Sequence, residues 1–174
     1  GAYVKVPIVG MHDWVVSFDL NSLYPHLIMQ YNISPETKIN IDDKDRLGIG
    51  VDNILKSSPK MYWENTEEKL NKLKALDYSI AANGTCYTKK NRGFLPALME
   101  KLYKERKMYK KKMIECQKRQ QRGENLDKDI AKYNNFQLVR KIQLNSAYGA
   151  IGNQYFRYYA TDMAEAITTS GQLS

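Results

Sequence analysis

The run DWVVSFDL (13–20) is short and nearly continuously apolar, which predicts a buried strand that ends on the carboxylate of Asp19. SLYPHLIMQYN (22–32) then reads as a helix. Ser22 is its candidate cap, and Pro25 falls in the first turn, where a missing N–H costs little. ISPET (33–37) is expected to end it, because the residue before Pro35 is pushed out of the α region. SIAANGTCYTKKNRGFLP (79–96) predicts two short strands, a turn near KKNRG and a new helix around Pro96. Residues 97–121 are rich in Lys, Met, Glu, Gln and Leu, all good helix formers. Leu98, Leu102, Tyr109, Met113 and Cys116 recur there at three-, four- or seven-residue spacing and predict one apolar face. RGEN (122–125) interrupts the pattern at Gly123, and a second helix is expected from Asn125 or Asp127 onward. A last helix is predicted from Thr161. Residues 38–76 show the weakest pattern, a Gly-containing loop with a short helix expected over 64–75.

Charge sharpens the picture. The 174 residues carry a net +8. Residues 89–141 hold 17 Lys/Arg against 6 Asp/Glu, while the rest holds 10 against 13. One segment therefore carries all the excess. That favours a polyanionic partner, nucleic acid or nucleotide, over uniform solubilisation. Cys86 and Cys116 are single and far apart, which suggests a reducing compartment and neither a zinc site nor a disulfide framework. His12 and His26 are isolated as well. No run of about eighteen apolar residues occurs, so no membrane span is expected. GAYVKVPIVG (1–10) lacks a signal-peptide pattern and an initiator Met, and the chain is expected to be cut from something larger.

The predicted hairpin acts as a ruler. Gly123 lies 17 residues after Arg106 and 18 before Lys141. In straight antiparallel arms these cations share a height roughly 25 Å below the tip. Lys110 sits one turn nearer the tip, Asn145 one turn nearer the base, and Tyr148 a turn beyond that. Arg offers a planar fork of donors and Lys a point charge, so cations at one level suit a triphosphate. The plain alternative is a solvated cationic face. A carboxylate at the end of a buried strand must be paired or bind a metal, and Mg2+ prefers one or two carboxylates plus phosphate oxygens. N–H groups near Ser22, Leu23 and Tyr24 can point at phosphate. Asp19 is thus either a metal ligand or a turn residue.

These residues carry a resemblance. DLNSLYPH (19–26) resembles the first motif of family B DNA polymerases, usually DxxSLYPS. KIQLNSAYG (141–149) is similar to the family's KxxxNSxYG at every fixed position. ERKMYK (105–110) resembles its finger segment with the phosphate-binding Arg and Lys. VSFDLNSLYPHLIMQYNISPET and GNQYFRYYATDMAEAITTSGQ look most like replicative polymerases of large tailed bacteriophages. The resemblance implies an α+β fold with a partial palm and a long antiparallel helical-hairpin fingers subdomain. Residues 1–93 would be palm with an irregular insertion, 94–149 fingers, and 150–174 a return to the palm.

The resemblance also implies roles. Asp19 would bind a catalytic metal, with Leu20 lending its backbone carbonyl. Ser22 and Leu23 would hold the triphosphate, and Tyr24 would close under the sugar and exclude a 2′-hydroxyl. Arg106, Lys110 and Lys141 would contact phosphate, with Lys141 a candidate proton donor to pyrophosphate. Asn145 would pack near the incoming nucleotide, and Tyr148 and Gly149 under the nascent base pair. The plain alternative for these last residues is a polar helix end capped at Gly149. The implied activity is DNA-directed DNA polymerisation with Mg2+, primer-template DNA, deoxynucleoside triphosphates (dNTPs) and a sliding clamp, in the cytoplasm of an infected bacterium. Two departures stand out. His26 replaces the usual Ser, with little effect expected. The second metal carboxylate belongs to a later DTD-type motif that does not occur here, so the chain alone is expected to be inactive. The competing readings are a non-catalytic basic hairpin that grips nucleic acid and a nucleotidyltransferase of another class, such as a primase or reverse transcriptase.

Overall fold

The computed structural model describes residues 5–20, 22–39, 71, 75 and 77–174. Its elements are α1 (Leu23–Tyr31), β1 (Tyr78–Ile80), β2 (Cys86–Thr88), α2 (Phe94–Gln120), α3 (Asp127–Ile151) and α4 (Thr161–Leu173). The described part is α-rich, with one two-stranded antiparallel sheet. The helix expected over 64–75 falls almost wholly outside the described residues.

The long arms α2 and α3 pack by a heptad seam. Along α2, the positions Leu95, Met99, Leu102, Arg106, Tyr109, Met113 and Cys116 step by four and three residues. All are buried or half-buried. Along α3, Ile130, Tyr133, Gln137, Arg140, Leu144, Ala147 and Ile151 do the same. This is the apolar stripe of an antiparallel helix pair. Leu98, expected on that face, lies one residue off the seam and is exposed, while Met99 takes its place inside. The register is pinned midway, where Arg140 Nε donates to Glu105 Oε2 at 2.8 Å and the Tyr109 and Phe136 rings lie 5.1 Å apart. Arg106 and Lys141 therefore do share a height. At the tip, Gly123 takes φ 100°, a left-handed value open to glycine at no steric cost.

Beneath the arms, α1 and α4 close a core that includes Leu27, Ile28, Ile33, Tyr87, Met163 and Ile167. Burial pushes the Tyr87 phenol well above its usual pKa. The expected strand pair exists, but it turns at Ala81–Thr85 rather than at KKNRG. Gly84 adopts φ 80°, its N–H donates to Ala81 O at 2.8 Å, and the Ala81 N–H donates to Thr85 O at 2.9 Å. Asn-Gly provides the left-handed residue that a tight turn needs. KKNRG instead leads from β2 into α2.

Helix α1 ends earlier than Pro35 would dictate. Asn32 adopts φ 58°, and the N–H of Ile33 donates to Ile28 O at 3.0 Å. Asn is among the few side chains that tolerate this left-handed stop. Asn32 is buried, and its amide joins three segments. Nδ2 donates to Thr88 O at 2.7 Å and to Asn91 O at 2.8 Å, while Oδ1 accepts from the Gly93 N–H at 2.9 Å.

Glu36 caps α2 from outside the helix, accepting from the Phe94 N–H at 2.6 Å and from the Ser34 hydroxyl. Desolvation pushes its pKa up, but these hydrogen bonds outweigh that effect and hold the carboxyl below its ordinary value. A depressed folded pKa means the contribution is present above the unfolded value and lost as pH falls through the folded one. Glu36→Gln should therefore melt lower than wild type at pH 7, and the gap should close as pH is taken down past about 4. A gap that stays constant across thermal melts from pH 7 to 3 would refute the charged cap.

Candidate active site

Residues 13–20 do not form the buried strand their composition predicts. They are irregular and exposed, with a bend at Asp13–Trp14 where Trp14 takes φ 59°, and with Trp14 at 98% and Phe18 at 93% exposure. Neither β1 nor β2 pairs with them. A strand is stable only when its N–H and C=O groups meet a ladder partner, and among the described residues none is supplied. Asp19 is likewise exposed, so its chemistry rests on position rather than burial.

That position is specific. Asp19 and Leu20 line one side of a cavity of about 670 Å3. Ser22, Leu23 and Tyr24 from the start of α1 line the floor, and Asn145 and Tyr148 from α3 close the far side. The Tyr24 and Tyr148 rings lie 4.8 Å apart, tilted by 49°. Helix α1 opens at Leu23, so the N–H groups of Leu23 and Tyr24 have no carbonyl partner within the helix. Ser22 stands at the cap position, but its hydroxyl makes no capping bond. Instead it accepts from Arg106 Nη1 at 3.4 Å, which joins the floor to the hairpin.

Arg106 has an unusual setting. It fills a seam position where an apolar residue would pack best, between Glu105 and Tyr109, the two residues that Arg140 of the other arm contacts. Arg140 is neutralised by Glu105. The Nε of Arg106 is buried and has no hydrogen-bond partner. A buried unsatisfied donor on a cation is costly and is stabilised by an arriving anion. Arg106, Lys107 and Lys110, with Tyr103, line an adjoining cavity of about 180 Å3. Seven of the predicted site residues thus line one cavity, and Arg106 and Lys110 line the next. Lys141 and Gly149 are exposed on α3 and line neither.

Gly149 is not a helix cap. Helix α3 continues to Ile151, with Gly152 at its end, and a Cβ added at Gly149 would meet nothing within 4 Å. A mid-helix glycine with open space around it costs the fold about 1 kcal/mol relative to Ala. Gly149→Ala is therefore expected to raise the unfolding free energy by about 0.5–1 kcal/mol in urea titration. A destabilised variant would show that the fold, rather than a ligand, demands the glycine.

Sequence reasoning passed over His26, whose Nδ1 lies 2.9 Å from Ser22 O and whose ring meets Tyr103 edge-on at 4.8 Å. Its only signal was the departure from the usual Ser.

Fold and site together define a helical-hairpin protein that brings a carboxylate, an aromatic pair and an unsatisfied cation to adjoining cavities. The sequence profile of DNA polymerase family B matches residues 1–173. A DNA-directed DNA polymerase of Escherichia phage RB69 is 31% identical over 218 aligned residues, covering 100% of this chain and 22% of the relative. DNA polymerase 1 of Pyrococcus abyssi is 30% identical over 173, covering 99% and 17%. The solved structure of the family B DNA polymerase from the hyperthermophilic archaeon Pyrobaculum calidifontis superposes with a TM-score of 0.58 at 22% identity. It covers 87% of this chain and 16% of its own, which supports the fold. The chain belongs to DNA polymerase family B. It spans about a fifth of the length of the curated relatives it matches. The Escherichia phage RB69 and Pyrococcus abyssi relatives differ by one percentage point in identity. No helix among the described residues is long and apolar enough to cross a membrane.

Proposed function

We propose that residues 1–174 supply the nucleotide-binding half of a DNA-directed DNA polymerase site. Residues 1–93 and 150–174 belong to the palm, and 94–149 form the fingers. The observation that carries this reading is Arg106, a seam cation with a buried unpartnered Nε, directed at the turn that follows Asp19. Arg106 and Lys110 receive the triphosphate, with Lys141 at the same height on the other arm. Backbone N–H groups of Ser22 and Leu23 complete the cradle. Tyr24 and Tyr148 form a tilted aromatic wall on which sugar and base rest, beside Asn145 and Gly149. The Tyr24 ring leaves no room for a 2′-hydroxyl, which selects deoxynucleotides.

Asp19 and the Leu20 carbonyl suit Mg2+ as a donor set, since that ion takes one or two carboxylates and completes its shell with phosphate oxygens. When bound, Mg2+ neutralises charge that develops on the transferring phosphoryl group. Among the described residues Asp19 is the one carboxylate lining the cavity. Two-metal transfer needs more, so residues 1–174 alone are expected to extend no primer. The phage relative suits a replicative role in an infected bacterial cytoplasm, with primer-template DNA and a sliding clamp as partners.

The deciding experiment is calorimetric titration of the chain with dATP and Mg2+. Wild type should bind, and Arg106→Ala should weaken binding by about tenfold or more, as expected for a charge-assisted contact. Binding to DNA alone, with no response to dATP, would favour a plain basic clamp that grips backbone charge.

A further inference from the structure

We infer that His26 is a positioning residue, which holds Ser22 in its left-handed conformation and so aims the Ser22 hydroxyl and Arg106 at the triphosphate. The inference rests on the triphosphate reading of that site. Ser22 adopts φ 55°, a conformation that costs a residue with a Cβ about 1–2 kcal/mol and persists only when its surroundings enforce it. His26 enforces it from two directions. Its backbone N–H donates to Ser22 O at 3.1 Å, and its ring Nδ1 lies 2.9 Å from the same oxygen. A carbonyl can only accept, so Nδ1 carries a proton and donates. The one carbonyl takes both bonds through its two lone pairs.

The ring also spans two elements. It packs edge-on against Tyr103 of α2, with centroids 4.8 Å apart and planes at 82°. Tyr103 lines the same small cavity as Arg106, one turn further along α2. Arg106 Nη1 then reaches back to Ser22 Oγ. Contacts thus link Ser22 to His26 and Tyr103 on one side and to Arg106 on the other, and Tyr103 and Arg106 line one cavity. A Ser in place of His26 has no ring to reach Tyr103 and would leave this link open.

The two functions of the ring can be separated. His26→Asn keeps an N–H donor that can reach the carbonyl four residues back but removes the aromatic contact. His26→Phe keeps the aromatic contact and removes the donor. His26→Ala removes both. Calorimetry with dATP and Mg2+ should show His26→Ala weakening binding by about fivefold to tenfold, with Asn and Phe each recovering part of the loss. His26→Ala binding as tightly as wild type, while Arg106→Ala fails to bind, overturns the inference and leaves the triphosphate reading standing.

A second measurement does not depend on nucleotide. The chain has only two histidines, so long-range nitrogen–proton NMR, with a His12 variant for assignment, reads each ring separately. His26 in the wild-type chain should show one fixed tautomer with the proton on Nδ1, and its ring protons should show cross-relaxation to Tyr103. A ring that averages between tautomers, or carries its proton on Nε2, overturns the inference even if wild type binds no dATP.

Discussion

Asn32→Asp is expected to destabilise the chain by about 3–5 kcal/mol at neutral pH, although it exchanges one amide NH2 for an oxygen of similar size. The substitution isolates hydrogen bonding. Asp tolerates the left-handed backbone nearly as well as Asn, so φ 58° adds little strain. Its carboxylate still accepts from the Gly93 N–H. The two donors to Thr88 O and Asn91 O are lost, and a negative oxygen faces those carbonyls at a site where Asn32 is only 4% exposed. Both bonds are part-buried, so each carbonyl that loses its donor costs about 1 kcal/mol, and most of the remainder comes from the uncompensated charge placed at the buried Asn32 position. The new carboxyl resists ionisation there, so its folded pKa is raised. The deficit should therefore grow as pH rises through the carboxylate range and shrink below about pH 4; the pKa shift is opposite in sign to that of Glu36, but both deficits close at low pH. Asn32→Gly is the companion, keeping the backbone conformation and losing all three bonds at any pH. With about 2–4 °C per kcal/mol at this size, the Asp variant should melt at least about 6 °C lower at pH 7. A melting point equal to wild type would show that the end of α1 is not tied to the start of α2 through Asn32.

The long arms were legible because everything that specifies them is local. Strong helix formers, a glycine at the tip and apolar residues at helical spacing all point the same way. The shared height of Arg106 and Lys141 followed from counting. What counting missed was the seam itself. Choosing Leu98 over Met99 put the apolar face one residue out, and so hid that Arg106 occupies a core position. The strand at 13–20 failed for the opposite reason. An apolar run states that a segment wants burial, but a strand also needs a partner, and that partner is non-local information. The turn at Asn83–Gly84 and the stop at Asn32 were written in the sequence as left-handed-tolerant residues. They were outweighed by the more conspicuous KKNRG and Pro35. His26 was underestimated because a side chain that acts through a neighbouring carbonyl leaves no spacing pattern.

Asp19→Asn, made in a polymerase chain that carries these residues, is expected to reduce primer extension by about a thousandfold, equivalent to roughly 4 kcal/mol of transition-state stabilisation. The fold should not register the change. Asp19 is exposed, and an exposed substitution away from caps and ion pairs shifts stability within about 0.5 kcal/mol. Triphosphate affinity should also persist, since it is assigned to Arg106 and Lys110 on the other side of Ser22. Nor should DNA affinity fall, because the excess positive charge lies in residues 89–141. Asn keeps the size and one oxygen of Asp but removes the negative charge that a hard divalent cation selects. Single-turnover extension separates these quantities, reading the chemical step after DNA and nucleotide are bound. A slow step with intact binding assigns the Asp19 charge to the chemistry. Intact chemistry with weakened DNA or nucleotide binding would make Asp19 a binding residue, and unchanged behaviour in both would leave it a turn residue at the cavity edge.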